Sequence, residues 1–228
     1  MNENHITLQD VSVAFNTHTV LHNLNLSLNE RRIAVIGANG SGKSTFIRLL
    51  NGLVIPNKGK VTVDGLDTKT HGKRLRRKTG FVFQNSDNQI IMPTVEEDIA
   101  FGLKNLGIDK EEIEQRIQKT LREYGLLSLR QQVAHLLSGG QKQLLAICSV
   151  LVMEPDIIIL DEPTTQLDLS NQIRIRKIIH QLKQRVIMTS HDFSLIERFE
   201  RVLVLHQGRV ICDTGPSAAI AFYKKLMT

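Results

Sequence analysis

The sequence predicts an α/β fold, and two stretches of the chain carry that prediction. In the first, the short apolar run Arg32-Ile33-Ala34-Val35-Ile36 reads as a buried parallel strand. It leads into the glycine-rich Gly37-Ala38-Asn39-Gly40-Ser41-Gly42-Lys43-Ser44-Thr45 and then an apolar helical stretch through Leu50. In the second, Ile157-Ile158-Ile159-Leu160 ends in Asp161-Glu162. That is a central strand with acids at its C-terminal edge, where doubly wound sheets bind ligands. Gly80-Phe81-Val82-Phe83 and Arg185 to Ser190 read as two further strands, and 228 residues suffice for one such domain with a small appendage.

The strand, glycine loop and helix together describe a phosphate loop. Gly37, Gly40 and Gly42 allow backbone N–H groups to wrap phosphates without Cβ clashes. Lys43 is placed to reach the β/γ-phosphates, and the Ser44 hydroxyl to ligate Mg²⁺. At the second strand, Asp161 suits the Mg²⁺ shell and Glu162 is placed to polarise an attacking water.

Leu137-Ser138-Gly139-Gly140-Gln141 offers another phosphate site. The apolar run from Leu144 to Met153 follows it, so the glycines open a helix whose N-terminus is bare of side chains and favours an anion. Ser138 supplies an N-cap and a hydroxyl donor. One chain thus holds two phosphate sites for one nucleotide.

These motifs, followed by Thr165-Gln166-Leu167-Asp168 and His191, stand in the order and spacing of ATP-binding-cassette (ABC) ATPases, and the chain resembles that family from about Ile6 to Met227. By chance, LSGGQ alone would arise in on the order of one chain in several thousand, so the surplus site calls for a functional reading. The resemblance implies ATP as ligand and Mg²⁺ as cofactor. It also implies a head-to-tail pair, a homodimer or two homologous ATPases, in which Ser138, Gly139, Gly140 and Gln141 of one chain close on ATP held by the other's Asn39 to Thr45. Gln84 resembles the glutamine that contacts Mg²⁺ and senses a membrane partner. His191 resembles the histidine that contacts the γ-phosphate. Asp168 resembles the aspartate that braces the dimer, and is also placed to cap a helix starting near Ser170. Phe15 stands where the family stacks an aromatic on adenine. Gln166 departs from the small residue many relatives carry there, but every acid, base and phosphate position is filled, so an active ATPase is expected.

The family plan implies one domain over residues 1–228. An antiparallel subdomain uses two strands between Ile6 and about Leu28 with Lys60–Val63. A core sheet collects Ile33–Ile36, Phe81–Phe83, Ile157–Leu160, Val186–Met188 and Val202–Leu205. A helical insertion runs over about 85–135, with helix starts at the capping box Thr94-Val95-Glu96-Glu97 and at Asp109. After His191 come a helix, a hairpin turned at Gln207-Gly208 and a short terminal helix.

Composition excludes several functions. Met1 to His5 lacks the positive-plus-apolar pattern of a signal peptide, and the run Leu144–Met153 is too short to span a bilayer, which takes about 20 residues. Cys148 and Cys212 form no C-x-x-C pair and read as buried small side chains. His18 and His22 fall on a strand, roughly 13 Å apart, too far for a shared metal. The net charge of +6 concentrates between Lys69 and Lys78, in a run without aromatics. That reads as a solvated face near lipid headgroups or a partner, and no nucleic acid is expected.

Asn85 to Gly102 resembles the corresponding stretch of energy-coupling-factor importers, where it receives helices of a transmembrane coupling subunit, with a separate substrate-binding membrane subunit. Ile90, Ile91 and Met92 are the candidate apolar contacts. The compact C-terminus and Gln166 to Asn171 resemble the biotin-uptake subgroup. The expectation is an ATPase at the cytoplasmic face of the membrane powering biotin import, with cobalt or nickel import as alternative and a soluble ABC ATPase (acting on nucleic acid, ribosomes or iron–sulfur assembly) as the rival of another class.

Overall fold

The computed structural model describes residues 5–228; of the stretch Met1 to His5 from which a leader was read as absent, Met1 to Asn4 lie outside the described residues. Two sheets organise the chain. The smaller is antiparallel, with strands in the order β2 (His18–Leu28), β1 (Ile6–Phe15), β4 (Lys58–Val63) and β5 (Leu66–Asp67). The larger holds β10 (Arg209–Thr214), β9 (Arg201–His206), β3 (Arg32–Ile36), β8 (Arg185–Thr189), β7 (Ile157–Asp161) and β6 (Thr79–Val82), in that order. Its pairs from β9 to β6 are parallel, and β10 folds back antiparallel on β9 through the turn at Gln207-Gly208. The strands of both sheets fall where the family plan implies, except that the one read as ending at Phe83 stops at Val82.

Strand alternation splits the interior in two. Ala34 and Ile36 of β3 face a core built with helices, while Ile33 and Val35 face the core shared with the antiparallel sheet, α1 (Lys43–Leu49) and Leu75 of α2 (Gly72–Lys78). Strands buried on both faces must be apolar throughout, which is why Ile157–Leu160 reads as an unbroken run.

The helical core is closed by α3 (Val95–Leu106), α4 (Lys110–Glu123) and α5 (Gly139–Leu151). Thr94 begins α3 with the predicted capping box, and Asp109 caps α4 by accepting from the N–H groups of Glu111 and Glu112. The periodic Ile113, Ile117 and Leu121 bury one face of α4. Leu144, fully buried on α5, would cost about 2–5 kcal/mol if cut back to Ala.

Three polar bonds tie the stretch after Gln84 to successive turns of α5. Lys142 pairs with Asp87 at 2.7 Å, the Gln89 amide donates to the Ala146 carbonyl at 2.8 Å, and the Ser149 hydroxyl donates to Asp98 at 2.8 Å. The buried Asp98 carboxylate also accepts from the N–H groups of Ile91 and Met92. Ile91 is thereby held outward, 61% exposed, while Ile90 packs on the helical core.

Candidate active site

The C-terminal ends of β3, β8, β7 and β6 lie side by side, and each releases one group of predicted site residues. After β3 comes the phosphate loop. A Cβ on Gly37 would collide with the Leu205 carbonyl of β9, and Gly42 caps α1 at φ +102°. Glycine is thus required by close approach at one end and by a left-handed turn at the other. Lys43 is buried inside the loop, where its ammonium donates to the carbonyls of Gly37 (2.9 Å) and Ala38 (3.1 Å). Burial pulls its pKa below the usual lysine range, and the Glu162 and Asp161 carboxylates oppose that shift. Asn39 and Gly40 are exposed at the loop tip, Ser41 is buried beneath it, and Thr45 is half-buried on α1.

Ser44, the second residue of α1, donates its hydroxyl to Asp161 Oδ1 at 2.9 Å. That oxygen also accepts from the Thr189 hydroxyl at 2.8 Å, and Arg48 lies 3.5 Å from Oδ2. A hydroxyl and a carboxylate brought together across the strand ends are hard oxygen donors, and as a set they fit Mg²⁺. Sequence reasoning missed Thr189 and Arg48. Thr189 is an ordinary strand-end residue until the parallel register sets it opposite Asp161.

Glu162 is nearly buried and its backbone is strained, with φ at +46°. Its N–H donates to the Thr189 hydroxyl at 2.9 Å. Carboxylate Oε1 faces Lys43 at 3.6 Å and His191 Nε2 at 3.1 Å, while Oε2 accepts from the Thr165 hydroxyl at 3.0 Å. Two predicted residues, Lys43 and His191, thus converge on a third. Thr165, part of the quoted motif but given no role from sequence, orients it. Gln84 leaves the sheet just beyond Val82, which pairs with Leu160, so it emerges on the same edge as Asp161 and Glu162. Phe15 is half exposed at the end of β1.

The glycine loop from Leu137 to Gln141 opens α5 as predicted, with one correction. Its N-terminus is not bare. Ser138 accepts from the Gln141 N–H, and the Gln141 side chain accepts from the Ser138 N–H, a reciprocal cap that turns Gln141 back on its own helix. Ser138 and Gly139 remain exposed, and nothing would obstruct a Cβ on Gly139. A Cβ on Gly140 would instead collide with the Asn171 amide. Asp168 caps α6 (Leu169–Gln181), one residue earlier than the start read near Ser170, by accepting from the Asn171 N–H. These hydrogen bonds hold its carboxylate below the usual range.

A profile of the ABC transporter family matches residues 21–165. The chain is 47% identical to the biotin transport ATP-binding protein BioM of Rhizobium etli, over 97% of this chain and 98% of that one. Among solved structures, it superposes with a TM-score of 0.84 on cbiO1 of Clostridium perfringens, part of the ABC transporter complex cbiONQ, at 31% identity over 99% of this chain and 94% of that one. It also superposes, with a TM-score of 0.83, on an ATP-binding cassette solved as a dimer in a post-hydrolysis state with ADP and phosphate, at 28% identity over 92% of this chain and 98% of that one. With the strand-end geometry, these likenesses make the chain a member of the ABC transporter family: an ATP-binding, ATP-hydrolysing subunit of the energy-coupling-factor importer type, similar to the ATP-binding proteins of biotin transport.

Proposed function

We propose that two copies of this chain, or this chain and a homologous ATPase, bind two ATP molecules between them and drive biotin import through membrane subunits. The observation that carries the hydrolytic part is the convergence of Lys43, His191 and Thr165 on the Glu162 carboxylate, beside the Ser44–Asp161 pair. Asn39 to Thr45 hold the phosphates of ATP, Phe15 stacks on its base, and Ser44, Asp161 and Gln84 hold Mg²⁺. Bound there, Mg²⁺ neutralises charge on the phosphate oxygens. Lys43 turns from its loop carbonyls to the β/γ-phosphates and releases one Glu162 oxygen. Glu162 then takes a proton from the attacking water, while His191 and Lys43 stabilise charge developing on the γ-phosphoryl oxygens.

Pairing follows from the second phosphate loop. Its contacts run to its own helix cap and to Asn171, so Ser138 and Gly139 are left to meet a nucleotide on another chain, with Asp168 bracing the pair. The dimeric ADP-and-phosphate cassette supports this. Among the described residues no helix is long and apolar enough to cross a membrane. The outward Ile91, with Ile90 and Met92, forms the contact for a transmembrane coupling subunit at the cytoplasmic face. The likeness to BioM supports biotin as cargo.

Replacing Glu162 by Gln is expected to lower kcat by about 10²-fold or more while ATP-dependent dimers accumulate on size exclusion. Unchanged turnover would remove Glu162 as the base. For cargo, the tagged chain is purified from detergent-solubilised membranes and labelled biotin uptake is measured with the co-purifying subunits. Uptake of cobalt or nickel instead would replace biotin.

A further inference from the structure

The two glycines of Ser138-Gly139-Gly140-Gln141 stand in different surroundings. Gly139 opens onto free space, whereas Gly140 is buried and any side chain there would enter the Asn171 amide. Asn171 is itself fixed twice by one residue. Its N–H donates to Asp168 Oδ1 at 2.9 Å and its side-chain amide donates to Asp168 Oδ2 at 2.7 Å. Each Asp168 oxygen accepts one of these bonds, so the Asn171 side chain cannot rotate away without breaking a charge-assisted bond. Asp168, Asn171 and Gly140 form one stacked unit that joins the loop before α6 to the loop before α5.

We propose that Asn171 is a positioning residue for hydrolysis: the stop against which the Gly140 loop rests, so that displacement of Asp168 shifts the loop that closes on the nucleotide of the other chain. This rests on the shared-site reading above. Asn171 touches no nucleotide and does nothing for the first capture of ATP by Asn39 to Thr45. Its effect falls on closure and turnover.

The test uses the full-length chain. In Asn171→Asp, a second carboxylate faces Asp168 and the clamp is replaced by repulsion. In Asn171→Ser, a side-chain donor facing the Asp168 carboxylate is kept and Asp168 itself is untouched. Asn171→Asp is expected to bind a fluorescent ATP analogue as the parent does, yet to lose about 10-fold or more in kcat and in ATP-driven dimerisation measured in the Glu162→Gln background. Asn171→Ser is expected to keep clearly more of both than Asn171→Asp. Asn171→Asp turning over at the parental rate, or Asn171→Ser no better than Asn171→Asp, overturns the proposal. Asn171→Ala, which removes clamp and contact without adding charge, gives the same comparison if Asn171→Asp fails to fold. Failure of the shared-site reading looks different: the Glu162→Gln parent would form no ATP-dependent dimer at all, and the role of Asn171 would fall with it.

Discussion

At Gly37 the phosphate loop passes so close to β9 that even a methyl group would strike the Leu205 carbonyl, which is backbone and cannot swing aside. Gly37→Ala is therefore expected to cost about 1–3 kcal/mol in urea melts and to abolish ATP-analogue binding. Gly40→Ala meets open space and is penalised only for its left-handed φ of +78°, about 1 kcal/mol, so it should lose less than Gly37→Ala. Equal losses at the two positions would mean that steric crowding is not the cause. The same scale shows where sequence reading stopped. Gly37, Lys43, Ser44, Asp161 and Glu162 announce themselves through local order, strand then glycines then helix, or strand then acids. Thr189 and Asn171 do not, because their roles arise only when β8 comes into register with β7 and when α6 is laid against Gly140.

Among the elements, α3 and α4 are joined through Arg130, whose guanidinium pairs with Glu96 of α3 and grips both Glu114 oxygens of α4 at 2.7 Å. Arg130 holds both carboxyls below the ordinary glutamate value of 4.5. A depressed folded-state pKa contributes stability that is complete above the unfolded value and is lost as pH falls through the folded one. Arg130→Met should thus melt below the parent at neutral pH, and the gap should close on acidification below pH 4.5. A gap that persists unchanged in acid would assign the loss to packing of the arginine stem. The helix starts themselves were legible, since Thr94 and Asp109 are caps readable from three or four residues. That Arg130 would bridge their helices was not, because it lies 34 residues from one partner and 16 from the other.

For the whole molecule, sheet order does what the linear sequence cannot display. The phosphate loop, His191, the Asp161–Glu162 pair and Gln84 are scattered over most of the chain, yet they leave four neighbouring strands in the order β3, β8, β7, β6. Recognised motifs told which residues meet; the strand order tells why. The shared-site reading has its own test at this scale. Lys43→Ala and Ser138→Arg chains should each be inactive alone. Mixed, they should regain roughly a quarter of the parental sites, because half of randomly formed dimers are mixed and each mixed dimer keeps one intact site. Normal hydrolysis by either variant alone would overturn it. One further consequence comes from the turn after β7, where Glu162 at φ +46° and Gln166 at φ +67° both occupy backbone that suits glycine or asparagine. Holding such residues there costs about 1–3 kcal/mol each. A lineage released from hydrolysing ATP would gain stability by placing glycine at 162, so that exchange is the mark by which a silenced copy of this chain would be told from a working one.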